Sequence, residues 1–153
     1  MTTLESLIAV HPFTKDINPR FLHLLNECAT FERFGANQEI FHEGFEADRF
    51  LLIHSGRVAL QTFVPGTGLA TIQTIGPGEA LGWSWLYPPY RWHFSAVTVE
   101  PVEAAGLCAR TLRDRMLENH EFGCEIAMRV GQMILDRLQA TRLRLLEMYG
   151  APS

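Results

Sequence analysis

The sequence predicts a mainly β fold, an antiparallel barrel or sandwich flanked by helices. Three observations carry that prediction. Between residues 29 and 108, short apolar or alternating runs recur, separated nearly everywhere by Gly, Pro, Asp or Asn, the pattern of antiparallel strands joined by tight turns. On either side of that region the apolar residues recur at helical spacing instead. The last run, from about Glu121 to Tyr149, has no proline and only two glycines, Gly123 and Gly131, and predicts one long helix.

In chain order, Leu4 to Val10 predicts an amphipathic turn or two. A second helix is expected to start at Asn18-Pro19, with Asn as its cap and Pro at its first position, and to bury Phe21, Leu24, Leu25 and Cys28. The strand runs are ATFERF, QEIFHEG, DRFLLIHSG, RVALQTFVPG, GLATIQTIGPG, FSAVTVE and VEAAGLC. Ser55-Gly56 and Pro65 to Gly68 are the best hairpin turns, since glycine supplies positive φ without steric cost. TLRDRMLENH makes the next helix, with Thr111 as its expected cap and Asp114 three residues on. In the long helix, Phe122, Ile126, Val130, Ile134, Leu138, Thr141, Leu145 and Met148 form one apolar stripe. At 1.5 Å per residue it spans ~40 Å, and its later half has the three-four spacing of a coiled-coil seam. Val130, Ile134, Leu138, Thr141, Leu145 and Met148 are therefore the expected dimer contacts; the alternative is a helix lying on its own barrel.

Composition narrows the class. At 153 residues with 47% hydrophobic and 20% charged, the chain is long enough for one core without disulfides or metals, and a disordered chain would be poorer in apolar residues. Residues 1–109 carry 6 basic and 11 acidic side chains, and residues 110–153 carry 7 and 6. Neither half has the basic excess of a nucleic-acid binder. No secretory signal opens the sequence and no run approaches a membrane span. Cys28, Cys108 and Cys124 are odd in number and far apart, which suits buried thiols in a reducing cytoplasm.

The order of these elements resembles the cyclic nucleotide-binding domain, the effector module of Crp/Fnr-type regulators. HPFTKDI is similar to its lead-in helix. In FERFGANQEIFHEGFEADRFLLIHSGRVAL the matching positions are Gly35, Ile40-Phe41, Gly44, Ala47-Asp48, Ile53, Ser55-Gly56, Val58 and Leu60. The resemblance spans roughly residues 11–149. It implies a double-stranded β-helix jelly roll and a single domain over 1–153, with N-terminal helices in 1–29, the roll in 30–108, the cassette in 78–96 and C-terminal helices in 111–149.

The resemblance also implies a phosphate-binding cassette. In the family a Gly-Glu pair opens a short helix whose N–H groups face the cyclic phosphate, and Arg-Ser/Thr-Ala follows. Here Gly78-Glu79, Gly82 and Ser95-Ala96 match, but Trp83 stands at the ribose-binding Glu position and Phe94 at the Arg position. Losing two charged hydrogen bonds removes ~3–6 kcal/mol, on the order of 10²–10⁴ in affinity. Arg91, three residues before Phe94, is either an anion-binding substitute or a loop arginine stacked on Tyr90 or Trp92. The Trp83 and Ser84 N–H groups and the Ser84 hydroxyl are further expected donors. Trp83, Trp85, Trp92 and Phe94 either fill the core or wall a pocket for an apolar, flat ligand.

The expectation is thus a non-enzymatic, cytoplasmic regulatory module with no obligatory cofactor, no catalytic or metal-binding residues, and no nucleic-acid or membrane partner. Its small effector, a cyclic nucleotide in the family, would meet Gly82, Trp83, Ser84, Trp85, Leu86, Arg91, Phe94, Ser95 and Ala96 under a lid of Gln132, Leu135 and Gln139. Because Gly150 to Ser153 end the sequence just past the long helix, output is expected to pass through a homodimer to a protein partner, unless the sequence is a piece of a longer regulator. The alternatives are a ligand-free dimerisation scaffold and a haem sensor using His93 or Cys108. Arg129, Arg137, Arg142 and Arg144 read as a solvated or salt-bridged face.

Overall fold

The computed structural model describes residues 3–150; the expected end of the chain at Ala151 to Ser153 lies outside the described residues, as do Met1 and Thr2. Helix α1 (Leu4–Val10) is opened by a reciprocal cap between Thr3 and Ser6, and a 3-10 turn follows at Pro12–Thr14. Helix α2 (Pro19–Glu27) begins where the sequence predicts: the Asn18 side chain accepts from the Arg20 N–H at 2.9 Å, with Pro19 at the first position.

Eight strands follow: β1 (Ala29–Phe34), β2 (Glu39–Phe41), β3 (Arg49–Ser55), β4 (Val58–Val64), β5 (Gly68–Ile75), β6 (Ala80–Leu81), β7 (Ser95–Thr98) and β8 (Val102–Cys108). They form two four-stranded antiparallel sheets, ordered β1-β8-β3-β6 and β2-β7-β4-β5, the jelly roll of the expected fold. Pro65 to Gly68 closes the β4–β5 hairpin, with Val64 opposite Gly68. Ser55-Gly56 does not close a hairpin. β3 and β4 lie in different sheets, so this turn carries the chain around the corner of the roll. Gly56 has φ +88°, and a Cβ there would run into the Pro101 carbonyl and lie 2.7 Å from a Val102 methyl, so the corner admits only glycine. The two-residue β6 is too short to leave a periodic trace in the sequence.

Phe50, Leu51, Leu52 and Ile53 are consecutive and all buried. A strand buried on every position is covered on both faces: the barrel interior lies on one side, and on the other Phe13 meets Phe50 edge-on at 5.0 Å. β5, by contrast, is mostly exposed, because its outer face meets only solvent. Helix α3 (Ala109–Glu118) starts two residues before the expected cap: Cys108 is the cap residue, and the Thr111 hydroxyl turns back to its Sγ at 3.5 Å. Helix α4 (His120–Met148) is capped by Asn119, which accepts from the Phe122 N–H. Its Arg129 reaches the Phe13 carbonyl at 2.7 Å, tying the helix to the N-terminal segment. Of the three cysteines only Cys28 is buried; Cys108 and Cys124 are exposed, against the expectation of three buried thiols, since one ends a strand and the other lies on the solvent side of α4.

His11 fastens the N-terminal segment to the roll. Its ring is buried, with Nδ1 accepting from the Phe13 N–H and Nε2 facing the Ile53 carbonyl, each at 3.1 Å. That arrangement fits the neutral ring protonated on Nε2. Burial, and next the neighbouring His54, hold its pKa down to about 4 from 6.5. The unfolded chain therefore takes up protons that the folded chain refuses as pH falls through 6.5, and stability declines until the folded ring titrates near 4. Chemical denaturation at pH 7 and pH 4.5 is expected to differ by about 2–3 kcal/mol from this ring alone, and His11→Gln is expected to remove that share of the slope.

Candidate functional site

The segment between β6 and β7 covers one side of the barrel. Gly82 has φ +95°, and a Cβ on it would lie 2.6 Å from the Trp92 ring, so a glycine is needed for the chain to pass. Trp92 stacks on Phe41 with centroids 3.7 Å apart and planes 8° from parallel. Trp85 is fully buried beside Phe50 at 5.1 Å. Between them the backbone makes one turn, closed by the Leu86 N–H to the Trp83 carbonyl at 3.1 Å, and no helix forms. After Tyr87 a helix would need N–H groups from Pro88 and Pro89, which have none. The Trp85 carbonyl takes the Arg113 guanidinium of α3 instead, at 2.6 Å, and the same guanidinium lies 4.1 Å over the Tyr90 ring.

Beneath this turn lies a cavity of about 230 Å³. Leu60 and Gln73 contribute from β4 and β5, Trp83 and Phe94 from the cassette segment, and Ile134, Arg137, Leu138 and Thr141 from α4. Trp83 and Phe94 meet edge-on at 5.3 Å. Arg137 is 7% exposed, donates to the Ala80 carbonyl through Nη2, and stands 5.4 Å over the Trp83 ring. Its Nη1 is buried without a partner among the described residues. Burial pulls its pKa down to about 10, with Glu79 partly opposing, so it is a cation at neutral pH. A second cavity, about 380 Å³, opens on the other side of Arg137 toward Phe13, Glu79, Arg129, Gln132 and Asp136.

The family model for the cyclic nucleotide-binding domain matches residues 31–119. The chain belongs to the cyclic nucleotide-binding domain family. A Geobacter metallireducens protein named for cyclic nucleotide binding aligns at 27% identity over 90% of this chain and 99% of its own, with a TM-score of 0.78. A cyclic nucleotide-binding domain from Methylobacillus flagellatus covers 95% of this chain and 82% of its own at 20% identity, TM-score 0.80. The catabolite activator protein of Thermus thermophilus covers 90% of this chain and 63% of its own at 23% identity, TM-score 0.70; these last two show a shared fold. Comparison with curated proteins gave no match.

Within this cyclic nucleotide-binding domain the expected site residues divide. Trp83 and Phe94 line the 230 Å³ cavity, while Gly82 lies directly under Trp92. Trp85 is in the core and does not line the cavity. The Ser84 hydroxyl is buried against His93 Nδ1 at 2.8 Å, and the Ser95 hydroxyl accepts from the Glu43 N–H at 2.9 Å. Ala96 is buried in β7 opposite Leu60, and Leu86 packs partly buried against the core. Arg91 lies away from the cavity: it is exposed and donates to the Gly44 carbonyl at 3.1 Å, because the extended segment turns it toward the β2–β3 connection. Tyr90 is stacked by Arg113 rather than Arg91.

The lid is also shifted. Leu135 and Gln139 are exposed and Gln132 opens on the larger cavity; the helix residues over the smaller one are Ile134, Arg137, Leu138 and Thr141, roughly a third of a turn around α4. Val130, expected at a dimer seam, is fully buried in the chain's own core, since the first half of the stripe packs on the roll. Arg137 is not part of a solvated face. His93 and Cys108 line neither of the two cavities. Among the described residues no group of three or more His, Cys, Asp or Glu is placed to hold a metal ion, and no helix is long and apolar enough to cross a membrane.

Arg113 is a strut that sequence reasoning missed, joining α3 to the cassette turn. Arg113→Met, which keeps the stem but loses the fork, is expected to cost about 1–3 kcal/mol in denaturant unfolding and to raise hydrogen exchange in residues 83–90 more than in β3.

Proposed function

We propose that this chain is a non-enzymatic regulatory sensor, one effector-type domain that binds a small molecule in the cavity under Trp83 and passes its occupancy along α4 to a second copy and on to a protein partner in the cytoplasm. The observation that carries this reading is that Ile134, Leu138 and Thr141 wall the cavity while lying on the same stripe as Leu145 and Met148. Those last two, with Leu138, are large exposed apolar side chains. A ligand that pushes on this stripe biases the angle of α4, and a two-state helix pair converts that bias into a signal.

The relative from Geobacter metallireducens, named for cyclic nucleotide binding, supports an effector site of this kind. The nucleotide itself is expected to bind weakly here. Trp83 and Phe94 occupy the positions of the two ligand-holding charges, and Arg91 does not reach the cavity. The aromatic filling also favours a second reading, a ligand-free scaffold for dimerisation.

Sedimentation of the purified chain is expected to give a dimer, and Leu145→Asp with Met148→Asp a folded monomer; a wild-type monomer at high concentration would sink the signalling route. In thermal melts cAMP and cGMP are expected to leave Tm nearly unchanged at micromolar concentration. A rise of several degrees there would show that the missing charges do not matter.

A further inference from the structure

Arg137 is the one charged group walling the smaller cavity, and its situation is unusual. Arg49, also partly buried, is paired with Glu32, and Arg129 is paired with Glu125. Arg137 has no carboxylate within 4.0 Å among the described residues. One guanidinium nitrogen has a backbone acceptor and another, Nη1, has none. A buried cation with an unmet donor is costly, and proteins place such groups where a counter-charge completes them. Trp83 over the guanidinium supplies a ring quadrupole, which offsets the charge only in part.

Resting on the sensor reading above, we infer that the effector of this cavity is a small aromatic carboxylate, with its anion on the Arg137 fork and its ring against Trp83 and Phe94. Three features select that class. Among the described residues the wall is otherwise apolar apart from the Gln73 amide and the Thr141 hydroxyl, and holds no acidic side chain; Glu79, whose charge Arg137 feels, lines the larger cavity instead. One cation balances one negative charge, and the planar guanidinium fork matches the two oxygens of a carboxylate. A volume of about 230 Å³ has room for one ring and a carboxylate. The positive group thus comes from the lid helix, and binding pulls directly on the element that carries the signal.

The test compares benzoate with its neutral isostere benzamide by saturation-transfer NMR and calorimetry on the full chain. Benzoate is expected to bind saturably and about 10- to 100-fold more tightly than benzamide. Arg137→Met is expected to abolish that preference, and Arg137→Lys to keep part of it. Equal binding of the two compounds to the wild type, undiminished benzoate binding in Arg137→Met, or no saturable benzoate binding each overturns the inference. The wild-type pair decides even if Arg137→Met does not fold. Failure of the sensor reading is separately visible: benzoate selectivity with a chain that stays monomeric removes the signalling route and leaves the ligand class standing.

Discussion

The burial of Trp85 against Phe50 sets the shape of everything around it. Its indole lies fully buried beside Phe50 of the central strand, and burying a side chain of that size is worth several times a single exposed contact. With that ring fixed inward, the turn is held to one loop, its carbonyl is presented to Arg113, and Trp83, two residues before it, faces α4 across the cavity. Trp92 then closes the segment by stacking on Phe41 over Gly82. The cassette is anchored by its aromatics where its relatives are expected to rely on charge and a helix end.

Helix α4 belongs to two environments. Phe122, Ile126 and Val130 are fully buried and Arg137 is nearly so, whereas every residue from Leu138 to Tyr149 is exposed. The changeover falls at the cavity. The long helix is therefore neither simply packed nor simply free. Its inner turns take their stability from the roll, and its outer turns carry apolar side chains that a water-facing helix has no reason to keep.

Much of this was legible in the sequence. Turn glycines and alternating runs located seven of the eight strands, and Asn18-Pro19 marked the start of α2, because these rest on local backbone geometry. Ser55-Gly56 reads as a hairpin because a corner and a hairpin use the same residues; only the partner strands distinguish them. The apolar stripe of α4 was found, but its period is the same whether it faces a roll or a second helix. The clearest missed signal was Arg137. It lies seven residues after Val130 and four before Thr141, on the buried stripe itself, and a charge at such a position marks either a buried partner or a ligand. Arg91 lies within the cassette segment, but the cation at the cavity comes from Arg137, distant in sequence.

The bond from Arg129 to the Phe13 carbonyl gives the molecule a mechanical character. It clamps α4 to the N-terminal segment early in the helix, and the Arg137 bond to the Ala80 carbonyl and the Arg144 bond to the Ile72 carbonyl fasten its later turns to the roll. Three rivets thus run along one rod, about 12 Å and 10 Å apart at 1.5 Å per residue. Each holds a different part of the chain: the segment after α1, the start of β6 and the middle of β5. A rod fixed at three points cannot swing about one of them, so any movement of α4 loads all three attachments together.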